Sequence, residues 1–189
     1  MDLQARIWSM QPELIVPTHM LHALTYGGGC LLGAELGGEL VAFVLGFPAR
    51  PHGRWILWSH MAGVLPEHQG QSIGYAIKMA QRDWALRAGF DTMSWTFDPM
   101  QSRNAKFNLH KLRAMSHIYH ADFYGELHDG LNAGLPTDRL EITWALNSPH
   151  VKALDDPSAP PPDPIRVTPD ACALRLGEGG ELLEQTVDL

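Results

Sequence analysis

The sequence predicts an α+β domain in which a mixed, mostly antiparallel sheet is flanked by helices. Apolar runs rich in β-branched and aromatic residues recur between residues 30 and 64 and again at 92–97, as in strands. Between 73 and 88, apolar residues instead recur at helical spacing. The 189 residues are 45% hydrophobic and 19% charged, which suffices for one domain with a substantial core.

The chain opens with helical periodicity. Met1–Leu24 is expected to form two short helices, because Pro12 and Pro17 interrupt what would otherwise be one. Cys30–Leu36 and Leu40–Phe47 follow as apolar runs separated by a Gly-Gly pair, and this pattern predicts a β-hairpin.

A long strand and a long helix come next, joined by a turn of small residues. Trp55–Val64 is interpreted as the strand, with Gly63 as a β-bulge near its end. The helix spans about Ser72–Ala88 and stops at Gly89, which suits a C-terminal cap. Its expected apolar face consists of Ile73, Ala76, Ile77, Ala80, Trp84 and Ala88.

Four further elements complete the predicted domain, which we place at residues 1–147. Thr92–Phe97 is rich in β-branched and aromatic residues and predicts a strand. Arg103–Arg113 has helical spacing, and His117–Tyr119 and Leu140–Leu146 are expected to be the last two strands.

The composition changes after Asn147. Seven prolines between residues 149 and 169 indicate an extended linker, which we assign to 148–169. The tail, 170–189, alternates like two short strands at 171–176 and 182–187, so we predict a C-terminal β-hairpin. Such a hairpin is one candidate surface for a homodimer.

Charge and residue usage narrow the function classes. A net charge of −7 argues against nucleic acid as a partner, since such proteins need a basic face. No apolar run approaches the ~18 residues of a membrane span, so we expect a cytoplasmic protein. His117 and His120 lie in a predicted strand without further ligands, and we predict no metal site.

The turn before the long helix is suited to an anion. It gathers backbone N–H groups and the positive end of the helix dipole, with small side chains that admit a phosphate. A Walker loop would require Gly-Lys-Ser/Thr, and a Rossmann turn would require three spaced glycines with a later acidic residue. Residues 69–74 fit neither pattern. The alternative is an ordinary tight connection.

This segment resembles the pyrophosphate loop of the GNAT acyltransferases. Gln69 and Gly74 match the family pattern Gln/Arg-x-x-Gly-x-Gly/Ala, and Ser72 stands where the middle glycine usually lies. Ser72 is expected either to cap the helix or to weaken the loop. Over about residues 20–146 the chain is similar to a branch of predicted GNAT acyltransferases sometimes associated with N-acylamino acid racemases, through these motifs: 95–99, 104–105, 108–109, 111–112, 124–125 and 134–140.

The resemblance implies a fold and a cofactor. A GNAT fold has a splayed central strand pair, and it ordinarily begins with a strand that the sequence here does not show. The implied cosubstrate is acetyl-CoA or another acyl-CoA such as succinyl-CoA. Its implied contacts are Ala62, Gly63, Val64, Gln69, Gly70, Gln71, Ser72, Ile73, Gly74 and Asn104. For Asn104, simple helix capping is the alternative.

The candidate residues for the catalytic acid and base match the family pattern less closely. Many members place a tyrosine acid in the second helix, but Leu109 occupies that position, which leaves Tyr119 and Tyr124 as substitutes. Either tyrosine could instead be structural. His60 and Asp98 are the candidate bases, because both fall at the ends of central strands. A structural role for the histidine is the alternative.

Arg139 is the candidate for holding a carboxylate of the substrate or the acyl group through a bidentate contact. Its alternative is an ion pair with Asp138 or Asp98. The resemblance therefore implies an N-acyltransferase that moves an acetyl or succinyl group to a small-molecule amine such as an amino acid. The competing interpretation is a weak or inactive GNAT-like module that binds CoA or serves as an interaction partner.

Overall fold

The computed structural model describes residues 2–9, 12–125, 137–156, 173–176 and 182–185. The chain divides into two compact units, Met1–Ala159 and Pro160–Leu189. The first unit has the predicted α+β architecture. Its helices are α1 (Asp2–Trp8), α2 (Thr18–Tyr26), α3 (Ile73–Arg87), α4 (Ser102–Ala105) and α5 (Pro149–Lys152), with a π-helical turn at Lys106–Lys111 and 3₁₀ turns at Pro12–Leu14, Pro51–Gly53, Pro66–His68 and Ala153–Asp155.

Six strands of this unit form one sheet in the order β1-β2-β3-β4-β6-β5. Only the β3–β4 pair is parallel. The strands are β1 (Cys30–Leu36), β2 (Glu39–Ala49), β3 (Ile56–Val64), β4 (Thr92–Phe97), β5 (Met115–His120) and β6 (Arg139–Ala145). Each predicted strand of the domain is confirmed, since its type depends on local alternation of apolar side chains.

The bulge in β3 is not where the sequence analysis placed it. Leu45 pairs with Met61 and Gly46 pairs with Ser59, so His60 is the extra residue. The prediction of a bulge at Gly63 was wrong because glycine is needed there for another reason. A side chain on Gly63 would come within 2.7 Å of Ile7 and 2.9 Å of Trp8, both on α1.

The buried face of α3 also differs from the prediction. Ala76, Ala80 and Ala88 are exposed, although helical spacing placed them inside. The buried positions are Ile77, Lys78, Gln81, Arg82 and Ala85. Three of those five side chains are polar, so a pattern of apolar residues alone points to the wrong rotation of the helix.

The domain continues past Asn147. Buried Arg82 donates to both carboxylate oxygens of Asp155, at 2.6 and 3.1 Å, and to the Leu146 carbonyl. Val151 on α5 is buried in the main core. The remaining part of the predicted linker, residues 157–169, lies outside the described residues.

The second unit contains two described strands, β7 (Ala173–Leu176) and β8 (Leu182–Gln185). They pair in antiparallel fashion, with Ala173 opposite Gln185 and Leu176 opposite Leu182.

Among the helices of the described residues, none combines the length and the apolar character that crossing a bilayer requires.

Candidate active site

The central feature is a wedge between β3 and β4. These strands pair at only two positions, Leu57 with Met93 and Trp58 with Ser94. Beyond Trp58, β3 continues to Val64 while β4 continues to Phe97, with no further pairing between the two strands. The predicted splayed pair is therefore present, and its vertex lies just past Trp58 and Ser94.

The β3 wall of the wedge offers main-chain donors. The Leu65 N–H donates to the Val41 carbonyl at 2.9 Å, so the Leu65 main chain faces β2. Because successive residues of a strand face opposite edges, Gly63 also faces β2, whereas the N–H groups of Ala62 and Val64 point into the wedge. The Gln69 side chain folds back to donate to the Val64 carbonyl at 3.4 Å.

The turn leading into α3 carries unused N–H groups. Within the described part of the chain, the N–H groups from Gly70 to Tyr75 donate to no acceptor. The first helical donor is Ala76, which donates to the Ser72 carbonyl at 3.0 Å. These are the orphan donors of a helix N-terminus, and together with the helix dipole they suit an anion.

Ser72 adopts a conformation that glycine prefers. Its φ is 63° and its ψ is 5°, in the left-handed region, and its side chain makes no capping hydrogen bond. Capping, one of the two expectations for this residue, is therefore wrong, because a capping side chain ordinarily requires extended backbone at the N-cap and Ser72 is left-handed. Gly70, with φ of 81°, is the second residue of the turn in this region.

A buried lysine that the sequence analysis missed lies at the vertex of the wedge. Lys78 is 3% exposed, and its Nζ donates to Ser59 Oγ at 2.9 Å and to Gln81 Oε1 at 3.1 Å. The same Nζ lies 3.9 Å from the centroid of the Trp95 ring. Burial lowers the pKa of Lys78 to about 7.

Trp95 is itself held in place. Its Nε1 donates to Oδ1 of buried Asn108 at 3.3 Å, and its ring packs edge-on against Trp144. Asn108 belongs to the π-helical turn that follows α4. In the sequence, Lys78 is a charged residue within a helical run, on the face that was expected to be solvated. A lysine in such a position is usually exposed.

Of the two candidate tyrosines, the structure brings one to the wedge. The Tyr124 hydroxyl lies 3.0 Å from Thr96 Oγ1, and Thr96 is on β4 just past the vertex. The Arg139 guanidinium lies 5.5 Å from the Tyr124 ring centroid, and its Nη1 donates to the Asp138 carbonyl at 2.9 Å. Arg139 is 8% exposed.

The other tyrosine is displaced from the wedge. Tyr119 lies on β5, the edge strand, and β6 separates it from β4. At about 4.8 Å per strand, β5 is therefore roughly 10 Å from β4. The Tyr119 hydroxyl donates to the Asp138 carboxylate, and this hydrogen bond raises the pKa of Tyr119.

His60 and Asp98 lie in different settings. His60, at the bulge of β3, packs its ring 5.7 Å from that of Phe47 and keeps contact with solvent. Partial desolvation lowers the pKa of His60. Asp98 follows β4, where its carboxylate accepts from the Met100 N–H at 2.8 Å and from Gln101 Nε2 at 3.4 Å. Those bonds form the turn into α4.

Asn104 is exposed within α4. The residue at the N-cap position of α4 is Gln101, so the alternative that Asn104 caps this helix was wrong. Leu109 is 38% exposed in the π-helical turn.

The wedge, the anion-suited turn and the strand order are those of one family. The family model for the GNAT acetyltransferases matches residues 3–111, more than half of the chain, and the chain belongs to the GNAT acetyltransferase family. No curated protein matches the sequence.

Solved structures of low sequence identity share the fold. The ribosomal-protein-S18-alanine N-acetyltransferase of Escherichia coli is 11% identical with a TM-score of 0.59, over 78% of this chain and 88% of that chain. A GNAT acetyltransferase of Elizabethkingia anophelis with acetyl-CoA bound is 14% identical, TM-score 0.57, over 76% and 88%. Arabidopsis thaliana Naa50, in complex with a bisubstrate analogue, is 14% identical, TM-score 0.55, over 75% and 90%.

Proposed function

We propose that the protein is an acyl-CoA-dependent N-acyltransferase whose diphosphate site is the turn between β3 and α3. The observation that carries this proposal is the run of N–H groups from Gly70 to Tyr75 without an acceptor in the described residues, directly beside an open wedge. A diphosphate satisfies those donors and the positive end of the α3 dipole. The acetyl-CoA bound in the Elizabethkingia anophelis structure supports the assignment of the cosubstrate.

In this proposal the pantetheine arm lies along the β3 wall. The N–H groups of Ala62 and Val64 point into the wedge and are available to its amides and to the thioester carbonyl. A main-chain donor aimed at that carbonyl stabilises the negative charge that develops when an amine attacks it. The new C–N bond then forms as the C–S bond breaks, and the CoA thiolate departs.

Tyr124 is our proposed proton donor to the departing thiolate, and His60 is our proposed base. Tyr124 is the candidate tyrosine whose hydroxyl reaches β4 beside the vertex. Because the pKa of His60 is lowered, the imidazole is neutral at physiological pH and able to take a proton from the attacking amine, directly or through water. In this proposal Asp98 has a structural role, because its carboxylate forms the turn into α4.

For the acceptor we propose a small-molecule amine that bears a carboxylate, such as an amino acid. Arg139 lies next to Tyr124 and supplies the cation, and a bidentate contact would orient the acceptor amine. The second candidate function is a CoA-binding module without turnover, which the serine at position 72 and the leucine at position 109 favour.

A screen of amines against acyl-CoA thioesters, read by release of free thiol, tests the proposal. Thermal melting with CoA is run beside it, since ligand at 100 times its Kd adds about 2.7 kcal/mol to stability. Thiol release with an amine supports the enzyme. A shift in melting with no release for any amine favours the binding module, and no shift with CoA contradicts both.

The two tyrosines form a matched pair for the catalytic assignment. Tyr124→Phe is expected to lower kcat by roughly 100-fold, the usual effect of removing a general acid. Tyr119→Phe removes the same hydroxyl from the edge strand and should lower kcat less than threefold. Steady-state rates for both variants decide the matter, and a larger loss in Tyr119→Phe than in Tyr124→Phe would reverse the assignment.

A further inference from the structure

Three buried polar side chains form a hydrogen-bonded triangle between α3 and β3. Lys78 Nζ donates to Ser59 Oγ at 2.9 Å and to Gln81 Oε1 at 3.1 Å. Ser59 Oγ closes the triangle by donating to Gln81 Oε1 at 2.8 Å, and each of the three residues is at most 4% exposed. Burying an ammonium group among neutral partners is costly, and apolar side chains of similar size would be at least as stable. Stability alone therefore does not account for the triangle.

The triangle lies directly at the bulge of β3. Ser59 immediately precedes His60, the extra residue, and pairs with Gly46 on β2. A side chain on Gly46 would come within 3.1 Å of Gln81 Nε2, so the glycine leaves Gln81 the space to reach this point of the sheet. The residue at which the bulge begins is therefore bonded to α3.

The bulge decides which main-chain donors line the β3 wall of the wedge. An extra residue shifts the alternation of a strand by one position, so the residues beyond it face the opposite edge. Beyond His60, the N–H groups of Ala62 and Val64 point into the wedge. Without the bulge, these two N–H groups would face β2, and those of Met61 and Gly63 would face the wedge instead.

Lys78 also contacts the other wall of the wedge. Its Nζ lies 3.9 Å from the centroid of the Trp95 ring on β4, which is within the range of a cation–π contact. The helix that carries Lys78 begins at Ile73, roughly 8 Å away along the helix axis. One side chain therefore relates the β3 bulge, the β4 wall and the anion-suited turn to one another.

We propose that Lys78, Ser59 and Gln81 are positioning residues, whose hydrogen bonds fix the β3 bulge and thereby aim the Ala62 and Val64 N–H groups into the wedge. This role rests on the function proposed above, and the three side chains act through the β3 main chain and not on the substrate. A donor displaced by about 1 Å loses much of its stabilisation of the charge that develops on the thioester oxygen, so a loosened bulge lowers kcat. The anion-suited turn retains its own N–H groups, so CoA still binds.

Ser59→Thr and Ser59→Val form a matched pair, because the two introduced side chains have the same shape and differ in one hydroxyl group. We expect kcat to be at least 10-fold lower in Ser59→Val than in Ser59→Thr, measured with an amine that releases thiol in the screen described above. The Kd for CoA, measured by calorimetry, should differ less than threefold between the two variants. A merely structural role predicts that the two differ in stability and not in kcat.

NMR spectra of the ligand-free protein report on the bulge without catalysis. The ¹H–¹⁵N resonances of Ala62 and Val64 should shift between Ser59→Thr and Ser59→Val, and by more than those of residues 70–75. Equal kcat values, or unmoved Ala62 and Val64 resonances, overturn the proposal and leave the acyltransferase function standing. If wild type releases no thiol with any amine, the proposed function fails, and the spectra alone decide whether the triangle fixes the bulge.

Lys78→Met is a second variant that answers the same question if Ser59→Val does not fold. It keeps the length of the side chain and removes its hydrogen bonds, so the loss of kcat and the shifts of the Ala62 and Val64 resonances should recur relative to wild type. The control Lys152→Met removes an exposed lysine from α5 and should change neither. A Lys78→Met protein with wild-type kcat and wild-type Ala62 and Val64 resonances would contradict the positioning role.

Discussion

The anion-suited turn and the vertex of the wedge lie at the two ends of the unpaired part of β3, yet they are built from different parts of the chain. At the turn, residues 70–75 present main-chain N–H groups and the left-handed backbones of Gly70 and Ser72. At the vertex, buried side chains contact one another instead: Lys78 donates to Ser59 and lies over the Trp95 ring.

The difference predicts how each end tolerates substitution. Main-chain recognition depends on backbone angles and on the local field, so many neutral side chains are acceptable at the turn. The vertex instead holds one buried ammonium group among neutral side chains, so a single substitution there changes both charge and stability. The three predictions below test that contrast, starting from the largest effect.

Lys78 should make stability depend on pH. Its pKa is about 7 in the folded protein against an ordinary 10.5, so between these values the unfolded chain binds more protons. The free energy of unfolding therefore rises with pH above 7, at up to about 1.4 kcal/mol per pH unit, which amounts to about 2 kcal/mol between pH 7 and pH 9 because the group is half titrated at pH 7. Urea unfolding at pH 7, 8 and 9 measures this rise.

Cys30 opposes this trend at higher pH. Its pKa is about 11 when folded against an ordinary 9.0, so above pH 9 the folded protein binds the extra proton and stability falls. Wild type should therefore level off between pH 9 and 10.5. Lys78→Met should show no rise from pH 7 to 9 and a decline above it. A rise of wild-type size in Lys78→Met would show that Lys78 is not its source.

A negative charge at the turn should weaken CoA binding. Ser72→Asp places a carboxylate beside the proposed diphosphate, and we expect about 30-fold weaker CoA binding in 50 mM salt, with a smaller loss in 500 mM salt because of screening. Ser72→Asn adds similar bulk without charge and tolerates the left-handed backbone, so it should lose much less. Calorimetric titration with CoA compares the variants. Equal loss in both would mean that shape, and not charge, governs this end.

Ser72→Gly should stabilise the fold. The serine holds φ at 63°, a region that costs a residue with a Cβ about 1 kcal/mol and glycine almost nothing. Part of the gain is offset by the greater freedom of glycine in the unfolded chain, so the expected increase is a few tenths to about 1 kcal/mol by urea unfolding. Ser102→Gly, in helical backbone, is the control and should destabilise. A loss of stability in Ser72→Gly would contradict the strain argument.

Much of the fold follows from local patterns. The hairpin at Gly37-Gly38 has positive φ at both glycines, and Gly89 ends α3 in the same region, as the residue types predicted. The family resemblance likewise depended on the turn at 69–74, where glycine positions report backbone angles directly. Such features can be predicted from the sequence because each depends on a few consecutive residues.

Other features depended on packing between distant segments. The bulge lies at His60 and not at Gly63, because Gly63 makes room for α1, some 55 residues earlier. The buried face of α3 was mispredicted because buried Arg82 is hydrogen-bonded to the Asp155 carboxylate and the Leu146 carbonyl. These partners lie far along the chain, and the helical spacing of apolar residues does not predict them. Lys78 escaped notice for the same reason, since its partners on β3 and β4 are set by the sheet.

The sequence by itself determined the α+β class, the order of the elements and the anion-suited turn, because periodicity and glycine placement act over a few neighbouring residues. Only the tertiary structure decided which side chains meet at the wedge. The order β4-β6-β5 carries Tyr119 to the sheet edge, while Tyr124 reaches back to Thr96. The parting of β3 and β4 after two pairs places Lys78 at the vertex. Both outcomes depend on which strands are neighbours, and contacts between distant segments set that choice.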